Sequence, residues 1–328
     1  MNFLSRLYRI LGFRSSIMRA YAYHDGQRAV QREANSVACA DKLSTWVGPV
    51  SEYANEADLI VIACNSAAAL DVAVLSGPPP LVSATHHDGN IAVLLPLSLA
   101  THLPVNAVWG GIVINPATAR RSRIAGQPEV SGDHIQLPCS TAFTNCRKYM
   151  TPTSSTGRTL HIGPNAQRDS ANDDPWIVST LAQCETAFLV TTSPDNVADV
   201  SHRGGQPGFL RFDASRGAIA WTEYLGDGMF VSTGNLRQQS RFALLALDYA
   251  SGDAVRVDGV AQYHNVRRDR HERVDALLQA TEPFPVQGSI EGTVTRVSRL
   301  VALCHPRVRV ERRSRITSAD TTAEQHPQ

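Results

Sequence analysis

Lysine is almost missing from this chain: Lys42 and Lys148 are the only two in 328 residues. A net charge of +1 with no basic stripe excludes a nucleic-acid binder held by bulk electrostatics, a mode that needs a marked basic excess. Nearly all positive charge is therefore arginine, whose planar fork suits paired contacts with phosphate or carboxylate, although a GC-rich genome gives the same bias. No run of eighteen apolar residues occurs, and the longest, around Ile91 to Ala100, is broken by Pro96. The chain thus reads as soluble, with no membrane partner. Its six cysteines show no CxxC spacing, which argues against a zinc site and a disulfide framework and leaves reduced, structural thiols as the expectation. His86-His87 sits in a polar turn with only Asp88 beside it, and no metal is expected there.

What is present is a repeated unit. Ala57 to Val93 lies on Glu185 to Trp221 at a constant shift, pairing Asp71 with Asp199, Gly77 with Gly205, Pro79 with Pro207 and Gly89 with Gly217. Asn115 to Gly126 lies on Asp248 to Gly259, pairing Arg123 with Arg256, and between the two blocks the second copy is five residues longer. The period is too long for a solenoid, so it reads as an internal duplication of a domain-sized unit. A length of 328 residues suggests about two domains, and 43% hydrophobic residues suffice for two cores.

Punctuation divides the chain further. Residues 1–17 are basic and carry apolar residues at helical spacing, the look of a mitochondrial presequence; Met18 is an equally good start, and cytoplasm is the first expectation. The first domain is set at 18–150, a Thr/Ser/Gly/Asn-rich linker at 151–172, the second domain at 173–304, and a disordered tail at 305–328. Helices are expected over Gln27 to about Ala40, from Ser51, after the cap and proline at Asp174-Pro175, and over 267–280. Strands are expected at about 187–193, 208–213, 218–222, 228–232, 241–249 and 254–264. A helix plus about six antiparallel strands, twice, gives a mainly β, α+β chain of tandem split β-barrels.

The segment richest in chemistry is Asp199-Val-Ser-His-Arg-Gly-Gly-Gln-Pro-Gly-Phe-Leu-Arg211, read as a strand, a glycine turn and a second strand that deliver one histidine and two arginines to an anion. Ser201 and His202 alternate across an extended strand, so they cannot form a nucleophile–base pair. Gly226 to Arg237 offers flexible backbone, hydroxyls at Ser232 and Thr233, and Asn235 as cap of a helical turn whose N–H groups favour an anion. Trp221 reads either as barrel core or as wall for a ligand ring. The cluster Arg120, Arg121 and Arg123 reads as a solvated strand edge, with reach across to the partner barrel's ligand as the alternative.

Together with Tyr23 to Gln31, Ala142 to Tyr149 and Gly228 to Leu236, the Asp199 segment resembles the pyridoxamine 5′-phosphate oxidase-like flavin-nucleotide-binding family in its two-barrel form, over roughly residues 20–305. The resemblance implies FMN held between paired barrels, here an intrachain pseudo-dimer that could also pair as a homodimer. It implies an FMN-dependent oxidoreductase supplied by an electron donor such as NAD(P)H; a non-catalytic flavin carrier or a paralogue with a decayed site are the alternatives. His202 would act at the flavin or substrate as a proton relay near neutrality. Arg203, Arg211, Trp221, Ser232, Thr233, Asn235 and Arg237 would bind the cofactor. The family's phosphate-clamping arginine–lysine pair has no clear counterpart, because Asp227-Gly228 occupies its neighbourhood.

Overall fold

The computed structural model describes residues 21–44, 48–66, 69–87, 89–265 and 282–311. The basic extension at 1–17 and the helix expected over 267–280 lie outside them. Among the described residues the first elements are three helices: α1 (Asp25–Glu33), α2 (Val37–Ser44) and α3 (Val50–Asn55). The single helix expected from Gln27 to Ala40 is two, because the chain breaks at Asn35, whose φ of 55° no helix continues through. The cap of α1 is His24, one residue before the Asp25-Gly26 pair: its Nδ1 accepts from the Gly26 N–H at 3.2 Å.

The first sheet contains β1 (Leu59–Asn65), β2 (Leu70–Ser76), β3 (Ser83–His87), β4 (Asn90–Pro96), β5 (Trp109–Asn115), β6 (Arg120–Gly126), β7 (Glu129–Ser131) and β8 (His134–Thr144). Three short strands follow where a linker was expected: β9 (Thr153–Ser155), β10 (His161–Gly163) and β11 (Ala166–Asp169). Of these, β10 joins the first sheet and β11 the second, so the connecting stretch stitches the two halves together. After α4 (Pro175–Gln183) the second sheet is built from β12 (Thr186–Thr192), β13 (Ala198–Gly204), β14 (Leu210–Asp213) and β15 (Ala218–Tyr224). Then come α5 (Val231–Gln238), β16 (Arg241–Leu247), β17 (Ala254–Asn265) and β18 (Val286–Val301). Asp174 caps α4 as its sequence predicts, Oδ1 accepting from the Trp176 N–H at 2.9 Å.

Both sheets have one strand order. It runs β2-β1-β5-β6-β8-β4-β3 in the first and β13-β12-β16-β17-β18-β15-β14 in the second, all antiparallel. This is the arrangement a duplicated split barrel requires. Gly205 therefore turns no hairpin: β13 and β14 stand at opposite ends of the order. The five extra residues of the second half fall where it has the two-turn helix α5 and the first half has only a 3-10 turn, Leu97–Thr101. The strand expected over 228–232 is the entry to that helix, because Phe230 adopts a left-handed φ of 54° that ends any extended run.

Each barrel buries its own core, around Trp109 in the first and around Trp221 and Phe242 in the second. A third core lies between them. On β1, Ile60 and Ile62 face the first barrel's interior while Leu59, Val61 and Ala63 face the other barrel; on β12, Ala187 and Leu189 point inward while Phe188 and Val190 point to the seam. Strands buried on both faces read as continuous apolar runs, which is why 59–62 and 187–190 do. Gly110 makes the close approach possible, since a Cβ there would lie 1.8 Å from the carbonyl oxygen of Ala198. Gly110→Ala should therefore cost about 1–3 kcal/mol of stability in urea unfolding, as overpacking does; an unchanged midpoint would show that the seam is not closely packed there.

The expected tail is ordered at its start. β19 (Arg307–Arg309) pairs with β9, and the Arg307 side chain, 0% exposed, places Nη2 2.9 and 3.0 Å from the two carboxylate oxygens of Asp58. Composition made 305–311 look free, but a buried carboxylate needs a partner and this arginine supplies it. Arg307→Ala should lower unfolding free energy by about 3–5 kcal/mol, the cost of leaving one member of a buried ion pair alone. A loss below about 1 kcal/mol would place Arg307 at the surface.

Candidate functional site

Registry explains what gathers at one end of the seam. In β6, Arg121 and Arg123 stand opposite Ile114 and Ile112 of β5, so both arginines occupy the face that the isoleucines present to the other barrel. In β13, His202 follows Ala198 and Val200 at the two-residue spacing of that same face. Both arginines reach side chains of β13. Arg121 Nη1 donates to His202 Nδ1 at 2.8 Å, and Arg123 Nη1 donates to both carboxylate oxygens of Asp199, at 2.8 and 3.0 Å. The arginine cluster read as a solvated edge is thus half of the site; its location follows from a sheet-on-sheet packing that local sequence does not encode. Arg120, on the opposite face, pairs with Glu52 and Glu56 instead.

Arg121, Arg123 and His202 line a cavity of about 110 Å³ together with Asn145, Cys146 and Lys148 from the first barrel and Arg203, Glu223 and residues 226–233 from the second. Two features give it an anion-binding character. First, Arg121 is buried and, among the described residues, none of its hydrogen bonds goes to a carboxylate: Nε donates to the Cys146 carbonyl at 2.7 Å and Nη2 to the Lys148 carbonyl at 3.2 Å and the Cys146 sulfur at 3.5 Å. Second, the N-terminus of α5 opens onto the same space, and its N-cap, Phe230, makes no side-chain cap bond. The first amides of a helix have no intrahelical acceptor, and the dipole adds positive potential at that end.

Histidine 202 is a donor here. A guanidinium only donates, so Nδ1 accepts from Arg121 and the ring proton sits on Nε2, a buried atom with no hydrogen-bond partner. Burial, then the charges of Arg121 and Arg203, hold its pKa well below the ordinary value. This geometry favours the neutral ring, since Nδ1 accepts from a guanidinium, and so gives the proton relay expected of His202 no support. Arg123 Nε and Asn145 Oδ1 are further buried polar atoms of the cavity lining without a partner.

The other sequence-derived positions divide. Ser232 and Thr233 line the cavity, Ser232 Oγ lying 2.8 Å from Asp199 Oδ2 and 2.7 Å from Ser201 Oγ. Arg203 lines it too, but its Nε is held by Glu223 at 2.5 Å. Arg211 is elsewhere, on β14 at the far edge of the sheet, where it meets Glu282 at 3.4 Å. Trp221 is core: fully buried, edge-on to Phe242, with its indole N–H on Glu223. Asn235 is no cap but lies inside α5, accepting from His24 at 2.8 Å and Gln27 at 3.1 Å and donating to Thr191 at 3.0 Å. It buckles α1 onto α5, which cross closely enough that a Cβ on Gly234 would meet Gln27 Cα at 2.4 Å. Arg237 pairs with Glu33 at 2.7 Å, again between these helices.

No protein-family model and no curated protein matches the chain. It is similar in part to solved structures. HupZ of Group A Streptococcus is 13% identical, with 38% of this chain and 90% of that one covered and a TM-score of 0.30. A Clostridium acetobutylicum protein related to general stress protein 26, described as of the pyridoxinephosphate oxidase family, is 9% identical over 40% of this chain and 90% of its own, with a TM-score of 0.27. The general stress protein 26 of Bacillus anthracis is 11% identical over 41% and 97%, with a TM-score of 0.26. The second description names the family that the sequence segments resemble. Likeness at this level says nothing of ligand or chemistry.

The neutral histidine has a measurable consequence. A histidine whose folded pKa is depressed leaves the unfolded chain binding the extra proton, so its contribution to stability is present above the unfolded value near 6.5 and is lost as pH falls below it. The urea midpoint should drop between pH 7.5 and pH 5, and His202→Gln should flatten that drop. A profile identical in the two proteins would mean that His202 titrates normally.

Proposed function

We propose that this chain is a binding module that holds a small molecule by an anionic group in the seam between its two barrels. The observation that carries the reading is the convergence of a buried guanidinium with no carboxylate on it, a partnerless His202 Nε2–H and the uncapped start of α5 on one cavity. The seam takes the place of a dimer interface, so one chain forms an intrachain pseudo-dimer and needs no second copy to complete the site.

One seam carries one such site. The seam-facing pair on β6 is Arg121 and Arg123, whereas their counterparts on β17 are Ala254 and Arg256: the place of Arg121 carries no charge, and Arg256 is neutralised by Asp258 at 2.8–3.0 Å and donates to the Leu70 carbonyl at 2.7 Å. The second half also has the helix α5 where the first has a 3-10 turn. Charge and helix terminus therefore coincide at one end only.

FMN is the ligand that the sequence resemblance suggests, and its two ends fare differently. Its phosphate fits the donors of the cavity. Its ring has no enclosed slot: the cavity of about 110 Å³ falls short of the roughly 300–1,000 Å³ usual for small-molecule pockets, and Trp221 is sealed in the core. Bound flavin would supply hydride and electron chemistry, but with His202 neutral the cavity offers no proton relay for it. FMN-dependent oxidoreduction thus rests on the resemblance alone, and a carrier role is the better match to the geometry.

Denaturing the purified chain and weighing what it releases tests this directly. A stoichiometric phosphorylated or otherwise anionic compound, at one per chain and absent from an Arg121→Met, His202→Ala double variant that still folds, is the expected result. Flavin absorbance with NAD(P)H-driven oxygen turnover would overturn the carrier reading in favour of the enzyme. An empty, colourless protein that no anion stabilises would mean a decayed site.

A further inference from the structure

We propose that the group bound in the seam is an oxyanion that still carries a hydrogen, so that the site takes phosphate and rejects sulfate. The inference rests on the anion-binding reading above and specifies its chemistry.

It comes from the mixture of partnerless atoms in one cavity. His202 Nε2–H and Arg123 Nε–H are donors and call for acceptors on the ligand. Asn145 Oδ1 is an acceptor and calls for a donor. The orientation of that amide is fixed, because Asn145 Nδ2 lies 3.1 Å from Asp227 Oδ2 and a carboxylate oxygen can only accept. The atom left facing no partner is therefore the carbonyl oxygen. Asp227 lines the cavity as well, its Oδ1 accepting from the Met229 N–H at 3.1 Å. Glu223, the other carboxylate in the lining, is already occupied by Arg203 at 2.5 Å and Trp221 at 2.9 Å.

A fully deprotonated tetrahedral anion presents acceptors in every direction. Sulfate set among these groups would satisfy His202, Arg123 and the α5 amides but would turn a lone pair toward Asn145 Oδ1 and add charge repulsion from Asp227. Inorganic phosphate near neutral pH keeps at least one O–H, which Asn145 or Asp227 can accept. A buried acceptor left without a donor is the more costly arrangement, by about tenfold or more in affinity. The arginines and the helix terminus thus account for attraction to either anion, and Asn145 with Asp227 for the choice between them.

The test is calorimetric titration of the full chain at pH 7 with inorganic phosphate and with sulfate at matched ionic strength. Phosphate should bind about tenfold or more tightly than sulfate. Asn145→Ala should narrow the gap severalfold, by weakening phosphate and relieving sulfate, and Asp227→Asn should strengthen sulfate, giving a second variant should the first not fold. Equal binding of both anions to the unaltered chain, lost together in Arg121→Lys, would overturn the selectivity while leaving an anion site standing. Binding of neither anion would overturn the underlying reading. An Asn145→Ala protein that loses both anions equally would make Asn145 a support for the loop at Asp227 and would also overturn the proposal.

Discussion

A guanidinium withdrawn from water has to be compensated, and Arg121 is withdrawn without a carboxylate on it. Two backbone carbonyls, one imidazole nitrogen and the Cys146 sulfur take its hydrogens but do not balance its charge. Burial pushes its pKa down, yet an arginine does not give up its proton, so the cavity beside it keeps a positive potential. The rest of the arrangement follows from this constraint. His202 is turned so that Nδ1 receives the arginine, which sends the ring proton to the other nitrogen; α5 starts there with bare amides; and Arg123 is quenched by Asp199 so that the charge is concentrated and not multiplied.

The seam that buries Arg121 is made by the alternation of β-strands. Every second residue of β1, β2, β5, β12, β13 and β16 faces the opposing barrel, and these apolar positions exclude water along its length. At one end the alternation continues into polar residues on β6 and β13 without changing face. Arg121, Arg123 and His202 are thus held by strand register, while residues of the 145–149 and 226–230 loops beside the start of α5 complete the lining.

Much of the fold was legible. The constant shift between the halves anticipated two sheets of one strand order, and the five-residue excess anticipated the difference between α5 and a 3-10 turn. The site was legible only in part. His202, Arg203, Ser232 and Thr233 reach the cavity, because the glycine-flanked segment and the helix entry are local signals. Arg211 does not, because strands adjacent in sequence on either side of Gly205 are at opposite sheet edges. Arg121 and Arg123 read first as a solvated edge and only second as reaching the other barrel, because their partners lie across a packing interface about 80 residues away in sequence. A signal did exist: in an antiparallel pair with Ile112 and Ile114 already on the buried outer face, arginines two apart on the next strand must share that face. Asn235 and Trp221 misled for the opposite reason, since residue types that serve ligands also serve helix crossings and cores.

The most direct measurement is the structure of the full chain crystallised with phosphate at a saturating concentration. The account predicts a tetrahedral anion in the seam, within hydrogen-bond distance of His202 Nε2 and the first amides of α5, and an Arg121 side chain that has not moved to meet a carboxylate. Phosphate found only on the outer surface, with Arg121 swung onto Asp227 or Glu223, would contradict it.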